Sequence, residues 1–290
     1  MGGLIGPAGG LEELKCASGL SKGPEGDTIV ARHKTVDGTK YVQVAAARPA
    51  RVWNVDVGTA TPAQVQMLEQ LQLARIYDRQ PMVYYDEACQ LTNMLDPEAS
   101  MMQSPPWTKV TPSGARVQPG LSLPGPRSLT SASTLEDGTW AHLSNVPVPY
   151  LRTVTCSVYL TAHAGMEAHF WVDELTMDGR TLPLVHKTRT AVNAVRERVS
   201  LTFETTGETV ALTFGVSRAV RVTMPALTLT DAPADWAPGG GCMNAAFTAQ
   251  PSQQVQLAVP GVPWGQRSSY SWQVEEIGRA GLPHGGVPLT

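Results

Sequence analysis

Between residues 128 and 235 one pattern repeats. Six runs, Trp140 to Val146, Arg152 to Ala162, Met166 to Asp173, Val199 to Thr205, Thr209 to Val216 and Arg221 to Leu229, mix apolar with polar residues at a period near two. Successive side chains of a strand point to opposite faces, so such a run buries one face and wets the other. Turn signals stand between the runs: Glu136-Asp137-Gly138, Met177-Asp178-Gly179 and Thr206-Gly207. Short strands at even spacing, joined by turns, predict an antiparallel β-sandwich or jelly roll. Composition agrees. Charged residues are 16% of the chain, against a usual ~25%. Glycine and proline together number 27 and 23 in 290 residues, which suits strands and turns better than long helices.

The flanks read differently. Residues 1–27 are Gly-rich and poor in pattern, as a flexible arm or as an extension lying on a neighbour. Thr28 to Thr35 and Lys40 to Ala46 read as two arms of a hairpin about Asp37-Gly38. Arg51 to Val57 alternates as a half-buried strand. One helix is predicted at about 62–75, with Thr61 as N-cap and Pro62 at the first helical position. Its expected apolar face is Val65, Leu68, Leu71 and Leu73, with Ile76 beyond. Pro81 to Tyr85 is strand-like, and Pro97 is expected to end the unit that follows. Residues 103–127 hold six prolines and read as a linker. A second boundary is read at 231–241. Beyond it, Met243 to Thr248, Gln254 to Val259 and Ser269 to Ile277 read as strands. That tail is too small to hold a core of its own. It is therefore expected to return to the first domain. The predicted organisation is 1–104 with 236–290 as one discontinuous β-rich domain carrying one helix, 105–127 as linker, and 128–235 as an inserted sandwich.

Charge and motifs exclude several functions. A net charge of -3 excludes a strongly basic nucleic-acid binder or a polybasic membrane-surface protein. No apolar run approaches the ~18 residues of a spanning helix, and no secretory signal is evident at the start. Cys16, Cys89, Cys156 and Cys242 are far apart and read as isolated buried thiols, with no zinc or redox motif. Arg outnumbers Lys 16 to 6, and Ile occurs 4 times, as in a GC-rich genome. Nucleophile-elbow, metalloprotease, phosphate-loop and dinucleotide motifs are all absent. Glu167, Asp173, Glu174 and Asp178 read as a solvated edge and turn. Asp173 and Glu174 face opposite ways on one strand and cannot act as a catalytic pair. His163, His169 and His186 lack a third-ligand spacing for a metal. No catalytic residue, metal or cofactor is expected.

Aromatic residues carry the binding signal. Trp140, Tyr150, Tyr159, Phe170 and Trp171 fall in the sandwich, where most aromatics are core. Phe170 and Trp171 are adjacent, so one of them must point away from the core. Trp171, Phe170, Tyr150 and Trp140 are the candidate glycan or partner contacts. Trp107, Trp236 and Trp264 stand beside prolines and are candidates for a domain junction or a subunit interface.

The succession of sandwich strands resembles lectin-like and carbohydrate-binding-module sandwiches in architecture. A second resemblance lies in the flanks. KTVDGTKYVQVAAARPARVWNVDVGTATPAQVQMLEQL joins a short hairpin, an R-x-W strand and a helix opened by T-P. RQPMVYYDEACQLTNMLDPEAS follows, and the chain closes with ADWAPGGGCMNAAFTAQPSQQVQLAVPGVPWGQRSSYSWQVEEIG. Together these resemble minor tail proteins of long-tailed actinobacteriophages, and among them are similar to distal tail proteins. The resemblance implies a virion component without catalysis, assembled in the host cytoplasm. It implies a homo-oligomeric ring, a hexamer before a trimer, joining the tail tube to other tail-tip proteins. The split domain would form the ring. The sandwich would project for contact with protein or with host cell-envelope glycan. The alternative from another class is a host-surface carbohydrate-binding protein.

Overall fold

In the computed structural model the alternating runs are strands, and the chain is mostly β. It describes residues 2–14, 17–24, 30–34, 40–44, 51–77, 82–102, 107–109, 116–118, 128–130, 141–162, 167–182, 187–192, 196–219, 221–247, 252–256 and 267–277. In chain order the first elements are β1 (Gly3–Gly6), β2 (Glu12–Leu14), β3 (Ala17–Pro24), β4 (Val30–Lys34), β5 (Lys40–Val44) and β6 (Arg51–Ala60). Then come α1 (Pro62–Tyr77), β7 (Met82–Tyr85), α2 (Glu87–Thr92), α3 (Pro97–Ser100), β8 (Thr108–Lys109), β9 (Arg116–Gln118) and β10 (Ser128–Thr130). The sandwich strands follow as β11 (Ala141–Pro147), β12 (Thr153–Thr161), β13 (Glu167–Leu175), β14 (Lys187–Val192), β15 (Glu197–Glu204), β16 (Ala211–Ser217) and β17 (Arg221–Thr228). The last are β18 (Cys242–Phe247), β19 (Ser252–Gln256) and β20 (Arg267–Glu276).

Two compact units result: one from residues 1–14 and 79–244, the other from 15–78 and 245–279. In the first, two five-stranded antiparallel sheets form the sandwich. Their orders are β15-β12-β17-β10-β9 and β14-β13-β16-β11-β8. Val154, Cys156, Val158 and Leu160 of β12 belong to the same buried cluster as Ala168, Phe170 and Val172 of β13. Phe170 meets Phe214 edge-on, with ring centroids 5.9 Å apart. The predicted strands agree with β11, β12, β13, β15, β16 and β17 to within about two residues. β14 (KTRTAV) is short of apolar residues and shows no strand pattern in the sequence.

Three expectations need correction. The Pro-rich stretch 105–127 is not only a linker. Its described residues include β8 and β9, which stand at the two sheet edges. Pro97 does not end a unit. It opens α3, with Asp96 as N-cap accepting from the N–H groups of Glu98 and Ala99 at 2.7 and 2.8 Å. Likewise Asp86 caps α2 through the Cys89 N–H at 2.7 Å. Nor is 231–241 a free boundary. The N–H groups of Gly240 and Gly241 bond the carbonyls of Asn93 and Leu95, and the Gly239 N–H bonds Ser100 Oγ. A Cβ on Gly239 or Gly241 would lie 2.1 or 2.0 Å from a carbonyl oxygen of Leu95 or Met94. The glycines are there because backbone meets backbone.

For that reason 82–102 and 236–244, read from sequence as part of a separate first domain, belong to the unit that holds the sandwich. Asn93 fixes the join. Its fully buried side chain donates to the carbonyls of Pro225 and Ala237 at 3.1 and 2.9 Å, and accepts from the N–H groups of Leu95 and Leu227 at 3.2 Å each. β1 pairs β2 and β7 in the same unit.

The second unit is a sheet in which β6 lies between β20 and β3, with β18 and β19 also on β20. Strands β4 and β5 pair as a hairpin. The turn at Asp37-Gly38 lies outside the described residues. Thr61 caps α1 reciprocally with Gln64: Gln64 N–H donates to Thr61 Oγ1 at 3.3 Å, and Thr61 N–H donates to Gln64 Oε1 at 2.9 Å. Leu68 is buried on this helix, but Leu73 is 50% exposed and so falls off the expected face. Arg51 and Glu276 form a buried bidentate pair at 3.0 and 3.2 Å, with the guanidinium 5.0 Å from the Trp53 ring centroid.

Candidate functional site

Strand β13 settles the Phe170/Trp171 alternative. Its exposure alternates along EAHFWVDEL, with Ala168, Phe170, Val172 and Glu174 inside. Phe170 is therefore core and leaves the set of surface contacts. Trp171 takes the outer face, half-buried. It pairs in register with Gly215 of β16, and Gly215 pairs in turn with His142 of β11. A Cβ on Gly215 would stand 2.2 to 2.5 Å from Cε2, Cζ2 and Nε1 of Trp171. The indole therefore lies across the bare backbone of its neighbouring strand. On the same face, register places His169 opposite Ser217 and Asp173 opposite Thr213, one row to either side.

The outer face thus carries an aromatic plate laid along the sheet, flanked by His142, His169 and Asp173. All four side chains are half-buried. Burial holds the His142 imidazole below its usual range, so it is neutral at pH 7, with one donor nitrogen and one acceptor nitrogen. Such a face can pack against the apolar side of a ring while its rim exchanges hydrogen bonds with hydroxyls.

The other predicted residues fall elsewhere. Tyr150 is 53% exposed at the β11–β12 turn. Trp107 is buried inside the sandwich unit, its Nε1–H donating to the Ala99 carbonyl at 3.0 Å at the end of α3, so it is a core prop of that unit. Trp236 is half-buried, and its Nε1–H donates to the Pro225 carbonyl at 3.2 Å. Trp140 and Trp264 lie outside the described residues, as do His163 and His186. Glu174 is not a solvated edge residue. It is fully buried, with Oε2 accepting from Thr206 N–H at 3.1 Å and from the Thr209 hydroxyl. Asp178 is exposed. The Thr176 hydroxyl, and then the Arg180 guanidinium, lower its pKa. Among the described residues no group of three or more His, Cys, Asp or Glu is arranged to hold a metal. Cys89, Cys156 and Cys242 are free and buried, while Cys16 lies outside the described residues. Nothing in the sequence around His142 marks it; the register alone puts it in one row with Gly215 and Trp171.

No protein-family profile matches the chain, and no curated protein matches it. Solved structures do. The CBM22-1 xylan-binding domain of Paenibacillus barcinonensis Xyn10C matches at 15% identity and TM-score 0.36, over 49% of this chain and 99% of that one. The C-terminal family 22 carbohydrate binding module of Clostridium thermocellum Xyn10B matches at 11% identity and TM-score 0.37, over 51% and 99%. A xylan-binding domain from CBM 22 matches at 11% identity and TM-score 0.35, over 48% and 95%. The class the fold defines is an antiparallel β-sandwich.

Proposed function

We propose that the sandwich unit is a non-catalytic glycan-binding module that uses the outer face of the β14-β13-β16-β11-β8 sheet. The observation that carries this reading is the Trp171 indole lying flat over Gly215, with His142, His169 and Asp173 around it. A glycine opposite a tryptophan on an outward row gives the ring a fixed, sheet-parallel pose. That is the pose needed to stack on a sugar. The test is titration of the full chain with soluble bacterial cell-envelope glycan fragments. Trp171→Ala should abolish binding. Gly215→Ala should weaken it about tenfold or more, because the new Cβ lifts the indole, while the fold by circular dichroism stays intact. Binding unchanged in both variants refutes the assignment. Turnover of a cell-wall preparation by the pure protein would refute its non-catalytic part.

A second reading, the ring subunit of a phage tail tip, has one observation in its favour. The second unit is made of two chain segments, 15–78 and 245–279, with the sandwich inserted between them. The resemblance likewise implies a split domain interrupted by the sandwich, with 1–104 and 236–290 as its segments. In this reading the second unit forms the ring with copies of itself, and the glycan-binding module projects toward the host envelope. The absolute mass in solution tests it. A closed hexamer or trimer supports the ring. A chain that stays 31 kDa both alone and with the tail tube protein counts against it.

A further inference from the structure

A cleft of about 290 Å³ opens at the end of the sandwich away from any role given above. Leu4 and Leu229 supply apolar surface to it. Glu13, Gln90, Arg152 and Glu204 bring polar groups. The volume lies at the small end of ligand pockets and suits a ligand of monosaccharide size.

Its polar groups are positioned, not loose. Gln90 is 2% exposed. Its Nε2 donates to the carbonyls of Gly2 and Tyr85 at 2.8 and 3.3 Å. That fixes the amide, and among the described residues no donor reaches its Oε1. Glu13 is held by the Gly2 N–H at 3.1 Å through Oε1, and by Arg152 at 2.9 Å through Oε2. The wall formed by Leu151 and Arg152 is also fixed. Leu151 has φ +51, which a bulky residue adopts only where its surroundings impose it. Thr205 imposes it. Its buried hydroxyl shares one proton between the carbonyls of Pro149 and Arg152, 2.9 and 3.2 Å away, and accepts from the Arg152 N–H at 3.1 Å.

The cleft is rich in acceptors and carries excess negative charge. Arg152 offsets Glu13, and Glu204 is left over. A ligand that satisfies Gln90 Oε1 and the Glu204 carboxylate must present donors, and the one on Glu204 should be cationic. The apolar walls call for a ring with an apolar face. We propose that this cleft binds an amino-sugar residue with a free amine: the ammonium on Glu204, hydroxyls on Gln90 and the Glu13–Arg152 pair, and the ring face on Leu4 and Leu229. The site is separate from the Trp171 face and does not depend on it.

The experiment is calorimetric titration of the full chain with glucosamine oligomers, their N-acetylated counterparts and glucose oligomers. Glucosamine oligomers should bind about tenfold or more tightly than either neutral series, and high salt should weaken them. Glu204→Gln removes the charge from an exposed side chain without disturbing the core, and should erase that preference. Equal binding of the three series, no binding of glucosamine oligomers, or a preference that survives Glu204→Gln overturns the proposal. If Trp171→Ala removes the glucosamine binding, the ligand sits on the outer face. The cleft proposal then fails while the Trp171 reading stands.

Discussion

Replacing Asn93 by alanine tests how the segment after β7 is joined to the sandwich. The wild-type side chain is fully buried and makes four hydrogen bonds. Alanine leaves the N–H groups of Leu95 and Leu227 and the carbonyl of Ala237 without that partner. The Pro225 carbonyl fares better, because it still accepts from Trp236. A buried polar group stripped of its partner costs about 1–3 kcal/mol. With partial relaxation, three such groups give a loss on the order of 3–5 kcal/mol. This is a large share of a typical ~5–15 kcal/mol stability. The assay is urea unfolding followed by tryptophan fluorescence. With an m-value of about 2–3 kcal/mol/M the midpoint of the sandwich transition should fall by about 1–2.5 M. Asn93→Asp separates donors from acceptors. It still accepts from both N–H groups but sets a carboxylate against two carbonyls. Burial raises that carboxyl's pKa above its unfolded value, so the variant should be least impaired at acid pH and lose stability as pH rises. A loss below about 0.5 kcal/mol for Asn93→Ala would refute the reasoning, since it would mean the join does not rest on this side chain.

Four further outcomes are expected. Gly241→Ala should cost several kcal/mol in the same assay, because its Cβ meets backbone at 2.0 Å, whereas Gly207→Ala, with nothing within 4 Å, should stay within about 0.5 kcal/mol. Glu276→Gln should destabilise the second unit by about 1–3 kcal/mol, since it replaces the charge-assisted bidentate bond to the buried Arg51 with a neutral acceptor; thermal unfolding by calorimetry reads this. Stability should fall as pH rises beyond about 9. Burial raises the Cys156 thiol and the Tyr84 and Tyr85 phenols, so these groups ionise more readily in the unfolded chain than in the folded one; unfolding midpoints from pH 7 to 11 test it. The lowered pKa of His142 has the opposite sense. Its contribution is present above the usual histidine value near 6.5 and lost as pH falls. His142→Gln should flatten that acid-side slope.

The sequence alone determined the elements whose cause is local. A period of two fixes which residues of β13 face inward, so one of Phe170 and Trp171 had to leave the core. Thr61 and Pro62 start α1 because a cap and a fixed φ act within one turn. Other features depended on partners far away in the chain. The choice of Trp171 over Phe170 follows from which face of β13 packs on β12. The site's composition depends on the register that sets Trp171, Gly215 and His142 in one row across three strands. Gly239 to Gly241 read as a flexible boundary because glycines are ambiguous alone. They become a docking seam only because the backbone of 93–96 lies against them. Glu174 read as a solvated charge because its two neighbours in sequence gave no sign of the Thr206–Thr209 turn that receives it. Local rules act through the few residues that share a turn or a pleat. Contacts that close chain separations of tens to hundreds of residues, such as Asn93 to Leu227 or Arg51 to Glu276, exist only once the sheets have formed.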